Sequence, residues 1–449
     1  MCASISMSVL DSYLHLISSH ITKYNPQRRA VSLHGVEMTE TMTDPASLPP
    51  WDLPPGVTSR FITTSPKGLR IHVLESIPAT TQASIRPPLI LLLHGFPNIS
   101  FDWRHIMVKL SDAGFYAVAP DARGSGRTHN ADGTPFAEST FRPLTLVRDC
   151  IMLIHALGYG QVNCLVGHDV GAFAASLLAL ARPDMIQSLV LMAHPFGGSP
   201  NLMFGHEAPT QLPAAAPRPK TQFERLHDPD IHTSLMKLQP PRVAYKWYNA
   251  GPQAADEWSY PTGQPLREFL RGYFHLKSAD WGANNPRPLA SWTADELAAM
   301  PHYYVMRAGL SMRENVALDM QREAPEVLSK LSQTPWLPDR DLDVYVREFA
   351  RTTFREPLRW YRVLTNPELL AELDIFAGKK IEVPTKYISG CSDWGTYQVP
   401  GSMEAMEEGR SVQQGMFKAK VILDGAGHWV NIEKPDECAA EIISLSRSV

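Results

Sequence analysis

The sequence predicts an α/β fold with a mostly parallel central sheet, flanking helices and an inserted helical cap domain. Continuously apolar runs, each followed by turn residues and then by helical periodicity, predict strands that alternate with helices in a buried sheet. This alternation stops after about residue 200 and returns near residue 383, which indicates that an insertion splits one domain. At 449 residues, the chain also exceeds the usual length of one compact core.

Four apolar runs predict strands in the first half of the sheet. They cover Pro88–His94, Tyr116–Asp121, Val162–Gly167 and Ile186–Met192. A helical stretch after Val170 separates the last two runs, so a right-handed crossover should make these strands parallel.

The same patterns divide the chain into four parts. These are an N-terminal extension, the first part of the core, a helical cap and the second part of the core: residues 1–55, 56–200, 201–364 and 365–449. The cap is punctuated by prolines and rich in tryptophan. Strand patterns return at Val383–Ser389 and Ala419–Leu423, and a final helix should begin at about Pro435.

The N-terminal extension carries apolar residues at helical spacing from Val9 to Ile21. This pattern predicts an amphipathic helix. Packing on the domain is its simplest use; a membrane-surface contact and a homodimer contact are the alternatives.

The composition is typical of a soluble globular protein, and the expected substrate is a small molecule. A net charge of -4 and 44% hydrophobic residues give no reason to expect a nucleic-acid partner. Five cysteines without a paired motif favour a reducing, cytoplasmic location over secretion. The N-terminus lacks the positively charged start of a signal peptide, and no apolar run is long enough to predict a membrane span.

Asp169 is the candidate nucleophile. It stands at the centre of Val166–Ala172, where an apolar strand meets a helix of small residues. Glycines two residues before and two residues after it permit the strained turn that lifts a nucleophile above a sheet. A surface turn is the alternative interpretation.

Two further residues complete a candidate catalytic triad in the chain order nucleophile, acid, histidine. His428 follows the last predicted strand in a glycine-rich loop and is the candidate base. Asp393 follows the preceding strand and is the acid that would hold the imidazole in the right tautomer.

The turn His94–Pro97 follows the first long apolar strand. The backbone N–H groups of Phe96 and Val170 are the candidate oxyanion hole. The loop Asp121–Thr128 contains a G-x-G pair, but His129 stands in the place of a third glycine, so we expect no nucleotide. No ligand cluster is present in the sequence, so we expect neither a metal nor a cofactor.

An aspartate nucleophile limits the chemistry, because a carboxylate is a poor acyl nucleophile but displaces a good leaving group at saturated carbon. The H-G-F-P run at His94, the G-H-D-x-G elbow at Asp169 and the G-H-W segment at His428 resemble the epoxide hydrolase branch of the α/β-hydrolase superfamily. The resemblance extends from about Phe61 to the end of the chain. It implies that an alkyl ester forms on Asp169 and that water activated by His428 hydrolyses it.

The resemblance also implies a substrate pocket and two cap tyrosines that donate a proton to the opening epoxide. The residues beside the motifs, His94, Pro97, His168 and Trp429, are the expected pocket residues. Tyr361, in the W-Y-R segment Arg359–Arg362, is one candidate donor. Tyr245, in the Y-x-x-Y segment, is the other, with Tyr248, Tyr303 and Tyr304 as its competitors. The cap aromatics favour an apolar epoxide, although cap packing explains them equally well.

Three other functions compete with epoxide hydrolysis. Val170 departs from the tryptophan that commonly follows the nucleophile in relatives, and the absence of that tryptophan weighs against a haloalkane dehalogenase. A cyclase or rearrangement enzyme of a biosynthetic pathway needs no covalent ester. A non-catalytic receptor has no need of Asp169, Asp393 and His428 together.

Overall fold

The computed structural model describes residues 44–64, 68–79, 86–201, 225 and 228–449. Eleven strands are defined within these ranges, and we number them in chain order. They are β1 Val57–Thr63, β2 Leu69–Ser76, β3 Leu89–Leu93, β4 Tyr116–Pro120, β5 His129–Asn130, β6 Cys164–His168, β7 Leu189–Met192, β8 Arg242–Ala244, β9 Val305–Arg307, β10 Thr385–Gly390 and β11 Phe417–Leu423.

The central sheet has the order β1-β2-β4-β3-β6-β7-β10-β11, with β5 paired to β2. From β4 to β11 every pairing is parallel, whereas β2 pairs antiparallel with β1, β4 and β5. The prediction of a mostly parallel sheet is therefore confirmed. The predicted strands at Val162 and Ile186 begin later than expected, and these two residues form only an isolated bridge.

Sixteen α-helices lie within the described ranges. They are α1 Arg104–Asp112, α2 Pro143–Ala156, α3 Val170–Ala181, α4 Pro229–Lys237, α5 Tyr245–Ala250, α6 Ala254–Ser259, α7 Gln264–Leu276, α8 Ala294–Leu297, α9 Met312–Met320, α10 Pro325–Leu328, α11 Asp339–Thr352, α12 Arg355–Leu364, α13 Pro367–Leu370, α14 Ser402–Glu407, α15 Val430–Glu433 and α16 Pro435–Ser446. Among them no helix has the length and apolar character needed to cross a bilayer.

Strand β3 shows why the sheet strands read as continuous apolar runs. Ile90 and Leu92 belong to one apolar cluster, and Leu89, Leu91 and Leu93 belong to the other. Because successive side chains of a strand point to opposite faces, a sheet covered on both faces needs apolar residues at every position.

The chain between β7 and β10 adds no strand to the central sheet in its described part. It is mainly helical, as the sequence predicts, but β8 and β9 pair antiparallel over three residues each. No sequence pattern predicts this small sheet. The exact domain boundaries stay predictions, and the predicted helix at Val9–Ile21 lies outside the described residues.

The topology collects the candidate site at one edge of the sheet. His94 follows β3, Asp169 follows β6, Asp393 follows β10 and His428 lies in the loop after β11. Parallel strands present their carboxyl ends at the same edge, and ligands of open α/β sheets bind there. Asp169 and His428, more than 250 positions apart in the sequence, thereby become neighbours.

Candidate active site

Asp169 occupies a strained turn between β6 and α3. Its backbone has φ 53° and ψ -117°, a region that L-residues rarely adopt. The two flanking glycines are required by contact: a Cβ on Gly167 would lie 2.2 Å from the Gly171 carbonyl oxygen, and one on Gly171 would lie 2.2 Å from the Leu93 carbonyl oxygen. Only glycine therefore fits at these two positions of the turn.

The carboxylate of Asp169 faces the imidazole of His428. His428 Nε2 lies 3.5 Å from Asp169 Oδ2, and on the other side of the ring Nδ1 lies 3.1 Å from Asp393 Oδ1. The three residues are 4%, 1% and 1% exposed for Asp169, His428 and Asp393. The structure thus brings together the three residues that the sequence singled out.

Asp393 is itself fixed by hydrogen bonds. The Ser389 hydroxyl donates to its Oδ2 at 2.8 Å, and the Gly395 N–H donates to its Oδ1 at 2.6 Å. Held in this way, Asp393 accepts the Nδ1–H of His428 and leaves Nε2 turned toward the nucleophile. This arrangement selects the tautomer that a general base requires.

One predicted oxyanion donor already contacts the nucleophile. The Phe96 N–H donates to Asp169 Oδ1 at 3.1 Å. Val170 is the first residue of α3, and the first N–H groups of a helix have no partner within it. Gly95 permits the approach of this turn, because a Cβ there would lie 2.4 Å from the Asp169 Cβ.

The electrostatics of the site favour an ionised nucleophile. Burial alone would raise the pKa of Asp169, but the facing His428 and the ammonium of Lys277 lower it well below its usual range. Burial and Lys277 lower the pKa of His428, whereas Asp393 and Asp169 raise it, and the net result is a raised pKa. Loss of the Asp169 charge on esterification would remove one of these two carboxylates and lower the pKa of His428 again.

The four predicted pocket residues are all buried beside the triad. His94 accepts the Ala122 N–H on Nε2 at 3.0 Å and donates from Nδ1 to the Gly95 carbonyl. His168 donates from Nε2 to the His428 carbonyl oxygen at 2.7 Å. Both ring systems therefore hold backbone segments of the site, and their contact with a substrate stays a prediction.

The other two predicted pocket residues are Pro97 and Trp429. Pro97 follows a cis peptide bond from Phe96. The Trp429 indole donates to the Phe274 carbonyl of α7 at 2.8 Å. Trp429 therefore joins the loop that carries His428 to the helical insertion, which is the mainly helical chain between β7 and β10.

Three tyrosines of the helical insertion gather near the nucleophile. The ring of Tyr361 lies 5.3 Å from that of Phe96 and 5.8 Å from that of Tyr245, and Tyr245 lies 5.1 Å from Tyr304. Burial, with a contribution from Asp169, raises the pKa of all three hydroxyls well above the usual value. They therefore remain protonated and available as donors.

The other competing tyrosines have occupied hydroxyls. Tyr248 donates to Glu257 at 2.6 Å, and Tyr303 donates to Asn284 at 2.6 Å. Tyr245 donates only a long hydrogen bond of 3.4 Å to Gln398. Within the described ranges, the buried hydroxyl of Tyr304 has no hydrogen-bond partner.

Two lysines of the site were not predicted from the sequence. Lys277 is 2% exposed, and its ammonium lies 4.9–5.8 Å from the ring centres of Tyr273, Tyr303, Tyr304 and Trp429. Burial lowers the pKa of Lys277 and of Lys246 to about 8, and Asp169 acts against that change in both. The only indication of this in the sequence is that aromatic residues flank Lys246.

Glu433 was also missed, and it supports the histidine loop. Its carboxylate accepts the N–H groups of Gly427 at 3.0 Å, Trp429 at 3.1 Å and Ala279 at 2.9 Å. Burial raises the pKa of Glu433 to about 7. A single side chain thus connects the loop of His428 to the turn after α7.

Comparison with known proteins identifies the family of this chain. The sequence profile of the alpha/beta hydrolase fold matches residues 88–280. The chain is 30% identical to epoxide hydrolase B of Mycobacterium tuberculosis over 377 residues, which is 83% of this chain and 93% of the relative. It is 30% identical to epoxide hydrolase 2 of Siraitia grosvenorii over 387 residues, 85% of this chain and 95% of the relative.

Solved structures show the same fold. An epoxide hydrolase from an endophytic Streptomyces superposes with a TM-score of 0.65 at 24% identity, covering 88% of this chain and 96% of that one. Potato (Solanum tuberosum) epoxide hydrolase I superposes with a TM-score of 0.59 at 26% identity, covering 88% and 100%. Because the chain is 30% identical to two named epoxide hydrolases over 83% and 85% of its length, it belongs to the epoxide hydrolase family of the α/β-hydrolase superfamily.

Proposed function

We propose that the protein hydrolyses a small-molecule epoxide to a vicinal diol through an ester of Asp169. The observation that carries this proposal is the ionised carboxylate on the strained elbow, with an oxyanion donor 3.1 Å from one oxygen and a histidine 3.5 Å from the other. A serine in this position would serve acyl transfer, whereas a carboxylate serves displacement at saturated carbon.

In the first half-reaction, Asp169 Oδ2 attacks a carbon of the epoxide ring. The bond between that carbon and the ring oxygen breaks, and its electron pair passes to the oxygen. Tyr361, with Tyr245 beside it, donates a proton to this oxygen, because a free alkoxide is too basic to leave unassisted. The product of this step is a hydroxyalkyl ester of Asp169.

In the second half-reaction, His428 Nε2 takes a proton from water, and the hydroxide attacks Cγ of the ester. The tetrahedral oxyanion forms on Oδ1, where the N–H groups of Phe96 and Val170 stabilise it. The bond from Cγ to Oδ2 then breaks, and the imidazolium returns its proton to the departing alkoxide. The diol keeps Oδ2, and the new carboxyl group of Asp169 keeps the oxygen of water. This carboxyl group then loses its proton and the Tyr361 phenolate regains one, which restores the starting state.

Substitution of the base tests this mechanism. In His428→Gln, the first half-reaction remains possible and the second lacks its base, so incubation with styrene oxide should leave a stable adduct on the peptide that contains Asp169. Intact-protein and peptide mass spectrometry detect it. The double variant with Asp169→Ala is the control and should give no adduct. Diol formation by His428→Gln without a trapped ester would contradict the mechanism.

Haloalkane dehalogenation is the competing displacement reaction. The relatives described above are named epoxide hydrolases, and Val170 occupies the position after the nucleophile. Parallel incubation with an epoxide and with a chlorinated alkane should release diol from the first and no halide from the second.

A cytoplasmic location and a homodimer contact stay predictions of the sequence. The location is supported by the free cysteines Cys150, Cys164, Cys391 and Cys438. The homodimer contact is supported by the helical pattern at Val9–Ile21. Light scattering on the full chain and on a chain without residues 1–43 would test the contact.

A further inference from the structure

The helical insertion contains a cavity beside the proposed proton donors. It lies between α4, α5 and β9, and Gln398 of the core closes one side. Its volume of about 50 Å³ has room for a group the size of a few water molecules, such as a carboxylate, but not for a whole substrate. Tyr245 and Tyr304 form part of its wall, and the ring of Tyr304 lies 6.5 Å from the His428 imidazole. The cavity is therefore next to the reacting centre.

Lys246 brings a positive charge to this cavity. It lines the wall, and its ammonium lies 5.8 Å from the ring centre of Tyr245. No carboxylate of the described residues lies within ion-pair distance of this ammonium, although such pairs are frequent elsewhere in the chain. Lys246 is half-buried, and an ammonium partly withdrawn from water without a counter-ion is costly. Its weakened solvation accords with a pKa lowered to about 8.

The other polar atoms of the wall are mainly donors. The hydroxyl of Tyr304 and the indole N–H of Trp292 are buried and have no hydrogen-bond partner in the described ranges. No aspartate or glutamate is among the lining residues, and the oxygen of Gln398 already accepts the Tyr245 hydroxyl. A carboxylate accepts hydrogen bonds and donates none when it is ionised. The cavity and a carboxylate are thus complementary in charge and in hydrogen bonding.

We propose that this cavity binds a carboxylate carried by the epoxide substrate, with Lys246 as its counter-ion and Tyr304 and Trp292 as hydrogen-bond donors. The inference rests on the proposed function and narrows it to compact epoxy acids, whereas the sequence favours an apolar epoxide. The carboxylate stands close to the ring, not at the end of a long tail, because the wall residues Tyr245 and Tyr304 lie beside Tyr361 and His428.

Binding of unreactive ligands tests the subsite without turnover. Calorimetric titration with 3-phenylpropionate and with 3-phenylpropionamide compares a carboxylate with a neutral group of similar shape. We expect the acid to bind about 10- to 100-fold more tightly, the scale of a hydrogen bond to a charged group. Lys246→Met should remove the preference, and Lys237→Met, at an exposed lysine of α4, should retain it. Equal affinities of the wild-type protein for the two ligands overturn the subsite.

Turnover separates this inference from the proposed function. The ratio of kcat/KM for 3-phenylglycidate to that for 3-phenylglycidamide should exceed tenfold in the wild type and in Lys237→Met, and should collapse in Lys246→Met. Turnover of styrene oxide without any preference for the acid refutes the subsite and leaves the hydrolase mechanism intact. Selective binding of the acid without diol from any of the three epoxides supports the subsite and refutes the proposed function.

Discussion

At the scale of single residues, Asp169 combines strain with charge. A non-glycine residue in a sparsely populated backbone region costs about 1–3 kcal/mol and persists only where its surroundings fix it. Here the close contacts of Gly167 and Gly171 fix the turn, and the turn aims the carboxylate at His428. These requirements are local, so a short run between an apolar strand and a helix indicated the nucleophile, and Asp393, His428 and the His94–Pro97 turn supported its role.

The tyrosine hydroxyls give a prediction at the same scale. Tyr361→Phe removes a proposed proton donor without changing the ring that packs on Phe96. We expect the alkylation step to slow by about 100-fold, the common scale of one general-acid contribution. Rapid-quench measurement of ester formation from styrene oxide checks this.

Tyr248→Phe is the matched control, because the Tyr248 hydroxyl donates to Glu257. Its alkylation rate should stay within about twofold of the wild type. An unchanged rate in Tyr361→Phe would transfer the role of acid to Tyr245 or Tyr304, whose pKa Asp169 also raises.

The two lysines show what residue patterns do not reveal. Lysine is among the residues least often buried, so Lys246 and Lys277 in a helical stretch are expected on its solvated face. Lys277 is nevertheless buried and Lys246 half-buried. The burial of Lys277 results from aromatic residues far along the chain, such as Trp429. Tertiary packing determines these neighbours, and the periodicity of apolar residues along the sequence does not predict them.

At the scale of elements, the site depends on how the loop after β11 contacts the turn after α7. His428 N–H donates to the Lys277 carbonyl at 2.8 Å, and a Cβ on Gly427 would lie 2.5 Å from that same oxygen. Glu433 adds three hydrogen bonds to these two segments. The position of the base is thus determined by the helical insertion as well as by the sheet.

Substitution of Glu433 tests this coupling. Glu433→Gln replaces one acceptor oxygen by an N–H₂ group that opposes backbone donors, so His428 loses its fixed position. We expect ester hydrolysis to slow by up to about 100-fold, since a displacement of about 1 Å has effects of that size. Alkylation of Asp169 should change little, so the ester should accumulate in rapid-quench experiments.

The control for Glu433 is Glu437→Gln, an exposed residue on α16. It should leave both steps unchanged. Equal slowing of alkylation and hydrolysis in Glu433→Gln would indicate a general loss of structure and contradict a role in positioning the base.

Elements differ in how well the sequence predicts them, for a physical reason. Strand β3 is buried on both faces, and its five apolar residues leave an unmistakable run. Strands β8 and β9 have three residues each and intermediate burial in β8, which is too short for a period of two to appear. Their pairing depends on which segments the insertion brings together, and the sequence analysis accordingly missed them.

At the scale of the whole molecule, the helical insertion is joined to the core by a buried ion pair. Glu348 of α11 accepts hydrogen bonds from the Arg127 guanidinium at 2.8 Å and from the Trp51 indole at 3.0 Å. Glu348 is 4% exposed and Arg127 6%. Arg351 adds a further contact to Glu348 at 2.5 Å and donates to the Gly126 carbonyl at 2.8 Å.

Removal of Glu348 should therefore weaken the whole fold. In Glu348→Ala the guanidinium of Arg127 stays buried without a counter-ion, and loss of one partner of a buried pair costs about 3–5 kcal/mol. Asp184→Ala breaks the exposed pair with Arg182 and should cost no more than about 1 kcal/mol. Urea unfolding followed by tryptophan fluorescence measures both free energies of unfolding. Equal effects of the two substitutions would show that the Arg127–Glu348 pair does not hold the insertion against the core.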